Sequence, residues 1–91
     1  MGSVFYIDLS EVMTKEELQD ILVKELPLPD YYGKNLDALN DVLTESGNGW
    51  NIIFYNTKFA AVKLGKYFDA LKRLCKEAAE DMPELKIRFF E

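Results

Sequence analysis

Three β-rich runs, Val4–Leu9, Trp50–Tyr55 and Leu85–Phe90, are separated by segments of helical period, and that alternation leaves little freedom of architecture. Strands that alternate with helices pair in parallel, with right-handed crossovers laying the helices against the sheet. The expected fold is α/β: a small three-stranded parallel sheet packed by three to four helices, in one domain over residues 1–91 with no repeat, linker or low-complexity tract. Trp50–Tyr55 is a β-branched and aromatic run with no clean polar alternation, which predicts a central strand covered on both faces. Leu85–Phe90 alternates Leu, Lys, Ile, Arg, Phe, the pattern of a strand with one wetter face.

The helices announce themselves by their ends and stripes. Thr14-Lys15-Glu16-Glu17 has the form of a capping box and opens a stripe of Leu18, Ile21, Leu22 and Leu26. A second helix is expected from about Ala60 to Glu80, stopped before Pro83, with Phe68, Leu71, Cys75 and Ala78 facing the core. Cys75 in that stripe is a buried core residue rather than a reactive thiol. Lys63, Lys66, Lys72, Arg73 and Lys76 fall mostly on its solvent side, with acids close enough in sequence to pair with them; they read as an ordinary surface rather than a phosphate site. Ser46-Gly47-Asn48-Gly49 reads as a turn.

Between these lies Leu26–Thr44, LPLPDYYGKNLDALNDVLT. Pro27 and Pro29 stop the preceding helix, Gly33 permits a backbone conformation other residues resist, and Asn35 is a good N-cap, so a helix starts at or just after Asn35. Leu36, Leu39 and Leu43 form its buried stripe, while Asp37 and Asp41 stand one turn apart on another face. Like charges at this spacing cost roughly 0.2–0.5 kcal/mol, and neither aspartate has a Lys or Arg three or four residues later. Lys34 is the only nearby cation. Asp37 gains from the positive end of the helix dipole, but Asp41 lies beyond the first turn and Glu45 sits at the negative end. A solvated helix face explains such charges adequately; a partner supplying the missing positive charge explains them as well.

Composition narrows the chemistry. There is no histidine, hence no imidazole for acid–base work or for zinc, and Ser3, Ser10 and Ser46 lie near the N-terminus or in turns. No phosphate-cradling glycine loop is present, Gly47-Asn48-Gly49 being only a turn. Asp30, Asp37 and Asp41 have the oxygens to hold Mg²⁺, but a nuclease of that kind also needs a basic surround. The net charge of −5 opposes nucleic-acid binding and favours a basic partner. The charge is uneven: acids dominate residues 1–30 and bases dominate 61–80, so the molecule is dipolar. A single cysteine, no leader pattern and no apolar run near the ~18 residues of a membrane span predict a reduced, cytoplasmic setting.

The segment Leu26–Thr44 resembles the signature of the barstar family: Leu-Pro, an acid, Tyr-Tyr-Gly, a variable residue, Asn-Leu-Asp-Ala-Leu, a variable residue, Asp, then Leu-Thr. Two aromatics, a glycine, a capping Asn and both aspartates in fixed register make the match specific, and length and element order resemble the family's across nearly the whole chain. The resemblance implies an intracellular inhibitor, or immunity protein, whose acidic helix and preceding loop plug a ribonuclease active site, carboxylates standing where RNA phosphates would lie. It implies Asp41 as the central carboxylate and Asp37 as its neighbour, Tyr31 stacking over the catalytic groove, and Gly33 and Asn35 in the contacting loop. Thr44 and Glu45 close the helix at the same surface. Lys76-Glu77-Ala78 resembles an Arg-Glu-Ala step of the family, which makes Glu77 a peripheral contact.

The implied partner is a basic, extracellular-type ribonuclease, barnase-like or another ribonuclease toxin, bound one-to-one by a monomer, with no cofactor, metal, nucleic acid or membrane. Asn40 stands where the family often has Trp, and Glu45-Ser46 where it has Gly-Trp, so the rim of the surface is altered around a retained centre. An acidic module for a basic partner that is not a ribonuclease would use the same helix and leave RNA cleavage untouched. A Mg²⁺-dependent enzyme would require metal binding at the aspartates.

Overall fold

The computed structural model describes residues 2–91, and among them the chain runs β1 (Ser3–Asp8), α1 (Lys15–Glu25), α2 (Leu36–Ser46), β2 (Trp50–Tyr55), α3 (Lys58–Leu64), α4 (Lys66–Asp81) and β3 (Lys86–Phe89). The strands form one parallel sheet in the order β1-β2-β3, with Phe5 beside Ile52, Ile7 beside Phe54, and these in turn beside Ile87 and Phe89. That row of side chains is one face of the sheet. It meets Leu18 and Leu22 of α1, Leu39 and Leu43 of α2, and Phe68, Leu71 and Cys75 of α4 in a single core. Phe54 stacks on Phe89 at 4.7 Å between ring centres, and Phe68 meets Phe89 edge-on at 5.8 Å. Burial pushes the Cys75 thiol up to about 12, the behaviour of a core residue rather than a nucleophile.

The α/β fold with three parallel strands and four helices is the one expected, and β2 is central, but two local expectations fail. The sheet is covered on one face only: Val4 is 53% and Tyr6 62% exposed, and Lys86 and Arg88 point to the same open side. Both crossovers step the same way across the sheet, and right-handed crossovers that do so put their helices on the same face. The open-face residues of β2, Ile53 and Tyr55, are half-buried by their neighbours in the sheet. In place of one helix over 60–80 there are two, because Gly65 adopts φ +54°, ψ −120°, a conformation open to glycine and breaking the helical ladder. Thr57, ahead of α3, makes no cap; its hydroxyl donates instead to the Phe90 carbonyl at 3.0 Å and ties down the end of β3.

Other local expectations hold. The Thr14–Glu17 capping box is formed in both directions. Asn35 caps α2, its Oδ1 accepting from the Ala38 amide at 2.7 Å. Leu39 and Leu43 are buried while Leu36 is half-buried, and the stripe sets α2 against α4.

Besides Thr57, one polar side chain is buried in this frame. Gln19 of α1 is 2% exposed; its Nε2 donates to the Tyr67 hydroxyl of α4 at 2.9 Å, and its Oε1 accepts from the Tyr32 hydroxyl at 2.6 Å. The amide thereby joins α1, α4 and the loop before α2. Burial, reinforced by Tyr67 and only partly offset by the Gln19 hydrogen bond, pushes the Tyr32 phenol up to about 12.

Three outcomes are expected. Leu39→Ala, which empties core volume, lowers unfolding stability by about 2–5 kcal/mol in urea titration, whereas a surface position would change it little. Tyr32→Phe leaves the Gln19 oxygen without a donor and costs about 1–3 kcal/mol. Because the folded protein holds the protons of Tyr32 and Cys75 more tightly than the unfolded chain, their contributions are full below about pH 9 and are lost as pH rises towards 12. Melting temperature therefore falls across that window, and falls less in Tyr32→Phe, where one of the two groups is gone.

Candidate functional site

The loop from Leu26 to Asn35 is built by short-range contacts. The Leu28 amide donates to the Leu26 carbonyl at 2.8 Å and the Tyr32 amide to the Pro29 carbonyl at 3.0 Å, closing a tight turn across Pro29-Asp30-Tyr31-Tyr32. The turn sends the two tyrosines opposite ways. Tyr32 goes inward to Gln19, and Tyr31 stands 87% exposed. The special backbone conformation expected at Gly33 falls instead on Lys34, whose φ is +55°. Space at Gly33 is tight rather than closed: a Cβ there would lie 3.2 Å from Asn35 Nδ2, so the capping side chain would have to give by a few tenths of an ångström, and 3.5 Å from the Ala38 methyl, an ordinary contact.

Lys34, the one cation within reach of Asp37 in sequence, is directed elsewhere. Its Nζ lies 3.3 Å from Asp20 of α1, and this is the only ion pair among the described residues. Both side chains are largely exposed, so the pair fixes position more than it adds stability. Asp37 and Asp41 consequently stand on the exposed side of α2 with no hydrogen-bonding or ionic partner for either carboxylate among the described residues. The helix also runs two residues past Thr44, to Ser46, so Glu45 and Ser46 are helical rather than part of a turn. Glu45 thus lies one turn beyond Asp41, extending the acidic row to Asp37, Asp41 and Glu45 with about 6 Å of rise between successive members.

A groove of about 560 Å³ opens between the loop and this helix, and Pro29, Tyr31, Gly33, Ala38, Asp41 and Glu45 line it. Four of the expected contact residues, Tyr31, Gly33, Asp41 and Glu45, therefore meet in one concavity. Asn35 does not line it; the same residue borders a second depression, about 340 Å³, with Gln19, Lys34 and Tyr67. Thr44 is half-buried, and its hydroxyl donates back to the Asn40 carbonyl at 2.9 Å, so it is engaged with its own helix. Glu77 is exposed on α4 and borders neither concavity.

What this arrangement offers chemically is a fixed set of acceptors beside an exposed aromatic ring. Asp30, Asp37 and Asp41 do not converge: among the described residues no three acidic or sulfur ligands gather as a metal site. No helix among them is long and apolar enough to cross a membrane. The residue that sequence reasoning missed is Gln19, which touches nothing outside the molecule but seats the loop. A polar side chain next to Leu18 on an amphipathic helix gives no sign that it faces inward; only its two tyrosine partners, 13 and 48 residues away in sequence, reveal it.

The sequence model of the Barstar (barnase inhibitor) family matches residues 2–90. The chain is also 37% identical over 83 residues to a Bacillus subtilis (strain 168) protein named "Putative ribonuclease inhibitor YrdF", a match that covers 86% of this chain and 87% of the relative. With a match over nearly its whole length and the parallel three-stranded fold in place, this chain belongs to the barstar family.

Proposed function

We propose that this protein inhibits a basic ribonuclease by seating α2 and the loop before it in the enzyme's active site, with side-chain carboxylates occupying the positions of RNA phosphates. The observation that carries this reading is the unpartnered Asp37–Asp41 pair, left without a cation on a capped helix while Lys34 is drawn to Asp20. Ribonuclease phosphate sites are built from Arg, Lys and His, which form charge-assisted and often bidentate hydrogen bonds to carboxylates. Asp41 lies at the centre of the row and at the wall of the groove, with Asp37 and Glu45 one turn to either side. The exposed Tyr31 ring supplies a rigid, flat contact beside them.

The helix is already ordered by its cap and its packing on α4, so little conformational entropy is lost on docking. The net charge of −5 attracts a basic enzyme and repels RNA itself. Family membership and the name of the Bacillus subtilis relative support the class of target. On this reading the protein acts in the cytoplasm as a monomer in a one-to-one complex, an immunity partner to a ribonuclease toxin. Gly33 and Asn35 hold the contacting loop, Thr44 closes the helix, and Glu77 is a contact at the periphery. Asn40 and Glu45-Ser46, where the family often has larger aromatics or glycine, tune which enzyme is accepted.

A fluorogenic RNA-cleavage assay of a barnase-type ribonuclease, titrated with this protein, tests the reading. Stoichiometric inhibition is expected, with association slowing as salt rises. Asp41→Ala is expected to fold normally and to weaken binding by about 2–5 kcal/mol, as truncating one partner of a buried charge pair does in general. Inhibition undiminished in that variant would remove Asp41 from the site. An absence of inhibition across several basic ribonucleases would favour a partner outside that class.

A further inference from the structure

The strand order leaves β3 at an edge: it pairs with β2 alone. The Phe90 amide donates inward to the Phe54 carbonyl at 2.8 Å, and in a parallel ladder successive residues alternate in direction, so the backbone N–H and C=O of Phe89 and Ile87 point outward. Alongside runs a groove of about 570 Å³ between β3 and α4. Its floor carries Ile87 and Phe89, and its α4 wall carries Lys72, Arg73, Lys76 and Glu80. The three cations are exposed, and none is in an ion pair among the described residues. Lys72 Nζ stands 5.9 Å from the centres of both the Phe68 and Phe89 rings, which holds a positive charge at the groove wall. Lys86 and Arg88, exposed on the strand itself, extend the positive field to the other side of the edge.

We propose that the edge of β3 and the adjoining face of α4 bind an extended, acidic segment of a partner protein, which joins the sheet as a fourth strand. Backbone hydrogen bonds along an open edge supply affinity for any extended chain, and side-chain pockets supply the choice. Here alternate residues of an added strand would face Lys72 and Lys76 on one side and Lys86 and Arg88 on the other, so acids are favoured in both registers. A free phosphate would use neither the outward backbone groups nor the apolar floor. A polynucleotide has no amide backbone to pair with the outward N–H and C=O groups of the edge. Charged residues on an edge strand also serve to prevent edge-to-edge pairing, but that role needs only Lys86 and Arg88 and leaves the three unpaired cations of α4 without a purpose. The opposite edge is a poor rival for an acidic strand, since β1 lies against α1, whose acids Glu16, Glu17, Asp20 and Glu25 outnumber its bases Lys15 and Lys24. None of the residues of the α2 groove takes part.

Titrating isotopically labelled protein with a capped hexapeptide alternating Val with Glu or Asp, while recording amide spectra and hydrogen exchange, decides the matter. Saturable shifts centred on Ile87 and Phe89, with slowed exchange of their amides, are expected. The double variant Lys72→Glu/Lys76→Glu should bind about tenfold or more weakly. The same peptide with Lys in place of every acid should leave the spectra unchanged, and this arm holds even if the double variant is poorly folded. Silence at millimolar acidic peptide, an equal response to the lysine peptide, or shifts at this edge with a uridine tetranucleotide instead would each overturn the proposal.

Discussion

A single buried amide makes three parts of this molecule into one. Gln19 accepts from Tyr32 and donates to Tyr67, so the loop that leads into α2 is fastened at once to α1 and to α4. A buried amide with one unmet group costs more than the same amide costs when fully satisfied, so the bridge is stable only when all three members are in place. Everything on the surface above it follows. With Tyr32 drawn inward, the tight turn at Pro29 has nowhere to send Tyr31 but outward, and the chain arrives at Asn35 in the direction that starts α2.

The second constraint is the division of α2 between core and solvent. Leu39 and Leu43 fix one side against the rest of the protein, which obliges Asp37, Asp41 and Glu45 to stay on the other. The row has an electrostatic cost, small per pair in water, which the isolated protein does not relieve. Lys34, which would have relieved part of it, points to Asp20 instead, and its backbone is left-handed, a conformation that costs a non-glycine residue about 1–2 kcal/mol. Stability is given up locally on a surface that the fold keeps rigid, a combination expected of a site whose charges are satisfied by a partner.

The uneven charge of the chain acquires a spatial meaning in the structure. The acids of residues 1–30 include those of α1, beside β1, while unpaired bases gather along α4 and β3 at the other edge of the sheet. Because parallel order β1-β2-β3 separates the first strand from the last, a gradient along the sequence becomes a gradient across the sheet.

Much of this was legible in the chain itself. The three strands, their parallel pairing, the capping box at Thr14, the cap at Asn35 and the outward aspartates rest on local chemistry and periodicity, which act over a few residues and are therefore written in a few residues. The signature from Leu26 to Thr44 also pointed to the family, because cap, aromatics and acids recur there in one register. Other features depend on what lies opposite. A run such as Trp50–Tyr55, apolar but for Asn51, is consistent with burial on both sides, but only the shared direction of the two crossovers decides that one side stays open. Gly65 looks like any glycine in a helical stretch until its φ is known. The inward turn of Gln19 and the capture of Lys34 by Asp20 are set by partners far away in sequence. The sequence by itself determined which residues make helix and strand and which faces carry charge; the tertiary structure alone decided which of those charges find a partner, because pairing is a matter of distance in space.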